Sequence, residues 1–259
     1  MIRMIVKVVA VTTVVVVGVA AGLGCVEVGQ PGGSLPPAVA RSTQSCFDGS
    51  GSYSFVDPAL QTFREVLPHY AEPGAVFYPR WILENSYRPE AAIRLADGRY
   101  ATTELPNVDP EPEPPEAFSS PVVVREYEEK LALVQRQRTA FDAALSAFID
   151  QMGDVVPPAR SDGTDVFGCI AKACELLEPG DVLWIASDLE DNVGRTAECD
   201  LSGVAVAVTL FECGTPCPEK RFAWALFFDS LGAASVIYLD PSLTAAQVAS
   251  KLQEVRDGN

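Results

Sequence analysis

Histidine is nearly missing: His69 is the only one in 259 residues. A Ser-His-Asp triad built on it would need a coincidence of placement, because it falls just past Pro68 at a predicted helix end, a setting that suits a surface residue. A zinc site of the usual kind loses its commonest nitrogen ligand, and the cysteines do not stand in paired short spacings. Basic residues are scarce as well. There are 19 Lys and Arg against 35 Asp and Glu, a formal charge of −16. Binding to nucleic acid relies on clustered cations, so nucleic acid is not an expected partner. Neither Gly-x-x-x-x-Gly-Lys nor Gly-x-Gly-x-x-Gly occurs, and nucleotide enzymes find no support. The acidity reads first as solubility.

What is present begins with an export signal. Arg3 and Lys7 precede an uncharged apolar run from Val8 to Leu23, followed at once by Gly24 and Cys25. That is the layout of a secretion signal, short of the ~20 apolar residues of a spanning helix. The stretch Ala21-Gly22-Leu23-Gly24-Cys25 resembles a lipobox, which implies lipidation at Cys25; plain cleavage and an uncleaved anchor are the alternatives. The expected location is the cell envelope, on the periplasmic side or the cell surface, with the membrane engaged through an N-terminal lipid or anchor. Without residues 1–25 the balance is 17 basic against 35 acidic, a formal charge of −18. Residues 26–40, rich in Gly and Pro, read as a tether, and 41–259 as one α/β domain.

Seven cysteines occur. With Cys25 set aside the remaining six suit disulfides in an oxidising compartment, in a pairing that spacing does not give. Cys213 and Cys217 flank Gly-Thr-Pro, a tight turn that can close a small ring. Cys169 and Cys174 lie on one predicted helix and point in different directions, so a bond between them is not expected.

Strand-like and helix-like segments alternate from residue 41 onward. Asp57 as N-cap and Pro58 at the first position open a helix whose Leu60, Phe63 and Leu67 share a face and which Pro68 should help end. Ala75 to Leu83 reads as a strand, with Pro79 arguing for an edge position or a bulge. Ala91 to Leu95 is a candidate partner strand. Residues 105–116 alternate Pro with Asp and Glu, a solvated extended insertion. Helical spacing predicts a long helix from Val124 to Met152 and another from Asp165 to Glu178.

Val182 to Ala186 and Val204 to Phe211 are continuous apolar runs of the kind found in parallel strands covered on both faces. An aromatic helix (Phe222 to Phe228), a strand (Ser235 to Leu239) and a last helix with the capping box Thr244/Gln247 and a Leu243–Val248 staple complete the chain. Trp81, Trp184, Phe222, Trp224, Phe227 and Phe228 are expected in the core. The order implies a doubly wound, mostly parallel sheet with helices on both faces, whose working residues sit in loops at the C-terminal ends of strands. The presumed first strand, Arg41 to Cys46, is polar (Ser42, Thr43, Gln44, Ser45), unusual for a position covered on both faces.

Three such loops carry small oxygen-bearing residues: Asp48-Gly49-Ser50-Gly51-Ser52, Asp162-Gly163-Thr164-Asp165 and Ser187-Asp188-Leu189-Glu190-Asp191-Asn192. Hydroxyls and one or two carboxylates on tight turns are what a hard cation such as Mg²⁺ requires. Gly49 and Gly51 let the first loop turn tightly.

Asp-x-Ser-x-Ser after a first strand, a lone Thr opening a middle helix and an Asp ending the next strand resemble the metal-ion-dependent adhesion site of von Willebrand factor A domains. Leu189 stands where that pattern often has Gly. The resemblance implies that Ser50, Ser52 and Thr164 ligate Mg²⁺ or Mn²⁺, with Ca²⁺ a further option, and that Asp48 and Asp188 bind directly or through water. It also implies a protein partner whose acidic residue completes the shell, and no catalysis. Two alternatives stand beside it: a structural envelope lipoprotein that has lost the cation, and a metal-dependent phosphate-ester hydrolase, against which counts the absence of basic residues in the three loops.

Overall fold

The computed structural model describes residues 41–159, 161–209 and 217–258, within one compact unit, Val39–Asn259. The expected signal segment with Cys25, the expected tether and Cys213 lie outside the described residues. No helix among the described residues is long and apolar enough to cross a membrane.

Six strands, β1 (Ser42–Asp48), β2 (Val76–Ile82), β3 (Thr103–Glu104), β4 (Val182–Ala186), β5 (Ala205–Thr209) and β6 (Ser235–Tyr238), form one sheet in the order β3-β2-β1-β4-β5-β6. Every pairing is parallel except β2 with β3. Side-chain alternation divides the core in two. Val182, Trp184 and Ala186 join Phe47 and Phe77 against α1 (Val56–Tyr70), α2 (Pro121–Gly153) and α5 (Ala245–Arg256). Leu183, Ile185, Val206 and Val208 point the other way, against α3 (Val166–Leu176) and α4 (Cys217–Ser230). The protein is an α/β fold with helices on both faces of a mostly parallel sheet.

The polar first strand is central all the same, between β2 and β4. Its side chains are accommodated one at a time. The Thr43 hydroxyl meets the Tyr70 hydroxyl at 3.0 Å, and the Gln44 amide donates to the Cys169 carbonyl at 2.9 Å. Ser45 Oγ and Gln44 Oε1 are buried without a partner among the described residues. Beside them Cys46 is bonded to Cys169, tying the strand to α3 across a separation of 123 residues, and Cys174 is bonded to Cys199. Cys169 and Cys174 are thus not bonded to each other; Cys217 is also disulfide-bonded.

Four local expectations need correction. Pro68 does not end α1, which runs on to Tyr70: a proline in the last turn forfeits one backbone bond, and Tyr70 is held by burial and by Thr43. Phe55, two residues before the expected Asp57, takes the cap position, without a side-chain cap. Ala91 to Leu95 is not a strand. Pro89–Ala91 makes a 3-10 turn and only isolated bridges follow (Arg80 with Ala92, Arg94 with Tyr100), the true partner of β2 being Thr103–Glu104. Phe222 is 65% exposed, although Trp224, Phe227 and Phe228 do cluster with Phe167.

Other features match. Pro79 lies in β2 with its carbonyl accepting from Ile93 on the side away from β1, so its missing N–H does not interrupt the β1 ladder. The acidic insertion is without regular structure, and Asp109 exchanges two hydrogen bonds with Gln137 of α2. The Thr244/Gln247 capping box is formed, with Leu243 packed on the cluster that contains Val248.

Candidate functional site

In an open α/β sheet the crevice for ligands forms where strand order reverses, at the C-terminal ends of the strands. Here that reversal lies between β1 and β4. Asp48 ends β1, and Ser187 and Asp188 follow β4 directly. The loop before α3 supplies the third side.

The three loops are hydrogen-bonded to one another in pairs. Ser187 Oγ donates to Asp48 Oδ2 at 2.6 Å, joining the first and third loops. Gly51 N donates to the Ser161 carbonyl at 2.9 Å, joining the first to the chain leading into Thr164. Thr164 N donates to Asn192 Oδ1 at 2.8 Å while Asn192 N donates to the Thr164 carbonyl at 3.1 Å, joining the second and third. Asp191 closes the assembly from outside by accepting from Val166 N at the start of α3. Asp165 caps the same helix through Gly168 N at 2.8 Å.

Within this frame Asp48 is fully buried, its Oδ1 accepting from Ser50 N at 2.9 Å. Ser50 Oγ lies 3.3 Å from Ser52 Oγ. Ser50 and Thr164 are buried, Asp188 is half-buried and Ser52 is exposed, so the group opens to solvent on one side. Ser50 touches both Asp48 and Ser52. Thr164 and Asp188 reach the group through Asn192 and Ser187 in the backbone frame; no direct hydrogen bond joins their side chains to the first loop among the described residues.

The electrostatics are those of two carboxylates held against their preference. Burial pushes the Asp48 carboxyl above its ordinary value, with the hydrogen bonds from Ser187 and Ser50 pulling the other way. Burial likewise raises Asp188; the Glu190 N–H opposes this, and the charges of Asp48 and Glu190 add to it. Neither carboxylate forms an ion pair among the described residues. Lys220 of α4 pairs with Glu190 at 2.9 Å and acts to lower Asp188, and Arg195 pairs with Asp165 at 3.3 Å. Basic charge, missing from the three loops, arrives from their neighbours, α4 and the segment after Asn192. No group of three or more His, Cys, Asp or Glu able to hold a metal occurs among the described residues, the set here being two carboxylates and three hydroxyls.

The glycines act differently from expectation. Gly49 does not use a left-handed backbone; a Cβ there would lie 3.0 Å from Pro158 and 3.1 Å from Leu83, so it permits close approach. The positive φ belongs to Leu189, at +58°. Glycine adopts that conformation freely, whereas another residue loses about 1–2 kcal/mol. The Leu189 side chain is 1% exposed in the core under α3, and burial of a leucine, worth about 1.5–3 kcal/mol, offsets the strain. Two contributors, Ser187 and Asn192, were not singled out by residue chemistry alone. They lie in the stretch around Asp188, and their hydrogen-bonding side chains beside a candidate ligand are the signal that points to them.

No protein-family profile and no curated protein matches the sequence. Among solved structures, proximal thread matrix protein 1 (PTMP1) from the mussel byssus aligns at a TM-score of 0.41 and 10% identity, over 85% of this chain and 48% of that one. A von Willebrand factor type A protein from Catenulispora acidiphila aligns at a TM-score of 0.45 and 11% identity, over 85% of this chain and 42% of that one. The chain spans less than half the length of either.

Proposed function

We propose that the rim formed by Asp48, Ser50, Ser52, Thr164 and Asp188 binds a divalent cation, Mg²⁺ or Mn²⁺, and offers it to a carboxylate of a protein partner. One observation carries the reading. Three loops, interlocked in pairs at the strand-order reversal, surround two carboxylates whose affinity for protons is raised by burial and which form no ion pair among the described residues. A hard divalent ion is the species that relieves such a site, and hydroxyls of Ser and Thr complete its shell without adding charge. The half-open side at Ser52 leaves room for an outside ligand. Disulfides among the described residues suit an oxidising compartment, in keeping with a domain held at the membrane by the segment ahead of residue 41.

Calorimetric titration of the chain lacking residues 1–25 with Mg²⁺ and Mn²⁺ tests this. Wild type is expected to bind one ion, Asp48→Ala none, and Ser187→Ala roughly tenfold or more weakly, because Ser187 orients the Asp48 carboxylate. Equal behaviour of wild type and Asp48→Ala sinks the cation reading. Capture of a partner that EDTA releases would support the second half of the proposal, and capture indifferent to EDTA would refute it.

A further inference from the structure

A second cleft, of about 530 Å³ and sharing no lining residue with the rim, opens between the C-terminal half of α3, β2 and the 3-10 turn. The size is that of a small-molecule site. Its walls are aromatic: Tyr78, Tyr87 and Tyr100 line it. The charge on its lining runs against the rest of the chain. In a protein with 35 acidic and 19 basic residues, Arg80, Arg88 and Lys172 line the cleft, and among the described residues no Asp or Glu does.

Two features of the floor point to a missing ligand. Arg80 is 5% exposed and forms no ion pair among the described residues. Its guanidinium donates instead to backbone carbonyls, from Nε to Ser86 at 2.6 Å and from Nη2 to Tyr87 at 2.9 Å and to Arg88. Carbonyls orient the group but leave its full charge, and a buried charge without a counter-ion is costly. The second feature is Gln44. Its Nε2 donates to the Cys169 carbonyl at 2.9 Å, which fixes the amide orientation. The Oε1 of this fully buried residue is thereby left with no donor. Around the mouth, Glu175 pairs with Lys172 at 2.6 Å and accepts from the Tyr87 hydroxyl; it and Glu90 act on Arg80 only through space, with no ion pair among the described residues, and Arg88 is exposed.

We infer that this cleft is a binding site for a small organic anion with a flat apolar body, an aromatic carboxylate in chemical class, its rings between the tyrosines and its charge toward Arg80 and Arg88. The site is separate from the cation rim and does not depend on that reading. Planar guanidinium groups suit carboxylates by paired N–H donors, and tyrosine faces suit rings. A hydroxyl or amide N–H on the ligand reaching the floor satisfies Gln44.

The test is a calorimetric titration of the full chain with 2-naphthoate and, separately, with the neutral 2-naphthamide. Wild type is expected to bind one naphthoate, and naphthamide weaker by about tenfold or more. Arg88→Glu, a change at an exposed side chain, should remove that preference. Thr102→Trp, which fills the mouth, should abolish both; a Phe222→Ser control, at the exposed aromatic of α4, should change neither. Absence of saturable naphthoate binding, equal affinity for the two probes, a preference that survives Arg88→Glu, or sensitivity to Phe222→Ser overturns the proposal. The two-probe comparison on wild type decides it even if Thr102→Trp fails to fold.

Discussion

Removing the Cys46–Cys169 bond by a double change to alanine lets the chain between them explore the unfolded state freely. For the separation of 123 residues the loop-closure relation gives a loss of about 5 kcal/mol, against about 3.5 kcal/mol for the 25-residue separation of Cys174–Cys199. Packing widens the gap. Cys46 and Cys169 are both fully buried, so the small voids left by alanine add roughly 1 kcal/mol, whereas Cys174 and Cys199 are only partly buried. The first double variant should thus be less stable than the second by about 2 kcal/mol. That is a large share of the 5–15 kcal/mol typical of a whole domain. Equilibrium unfolding in urea, followed by far-ultraviolet dichroism with equal slopes for both variants, measures the difference. If the Cys174/Cys199 variant loses as much as or more than the other, closure of the long loop does not set the stability and the reasoning fails.

Two further outcomes follow from the buried polar groups. Asp188 has a folded-state pKa raised above 3.8, chiefly by burial, so between 3.8 and that value the folded chain holds more protons than the unfolded one. Its contribution to stability therefore falls as pH rises through this window. The Asp188→Asn variant should be the more stable of the two at pH 7 without divalent ions, with the advantage shrinking toward pH 4; an advantage that grows on acidification refutes the assignment. Ser45 Oγ, buried and unpartnered, should be dispensable: Ser45→Ala is expected to gain about 1 kcal/mol, seen as a rise of roughly 2–4 °C in Tm, and a fall of that size would reveal a partner.

The α/β order was legible because its signals are local. Uncharged runs such as Val182 to Ala186 admit only a strand covered on both faces, and the Thr244 capping box needs nothing beyond its own turn. The central place of β1 was not legible from hydrophobicity. Its burial depends on single long-range partners, Tyr70 for Thr43 and the Cys169 carbonyl for Gln44, which no window of neighbouring residues contains. The same holds for the cysteine pairing. Pro68 misled because a proline costs little in a last turn whose end is anchored by Tyr70. At the rim the loops were legible as oxygen-rich turns. The interlocking through Ser187 and Asn192 was not, since it uses donors and acceptors that any polar turn supplies.

Leu189 has a bearing on how the rim can adapt. Its backbone is twisted into a form that leucine adopts only while its side chain stays in the interior, and its N–H is held by Ser187 Oγ at 2.9 Å. Pulling Asp188 outward would drag a leucine into water. The carboxylate stands on a fixed post, and whatever gives way to an arriving ligand must be the exposed arm of the opposite loop, at Ser52.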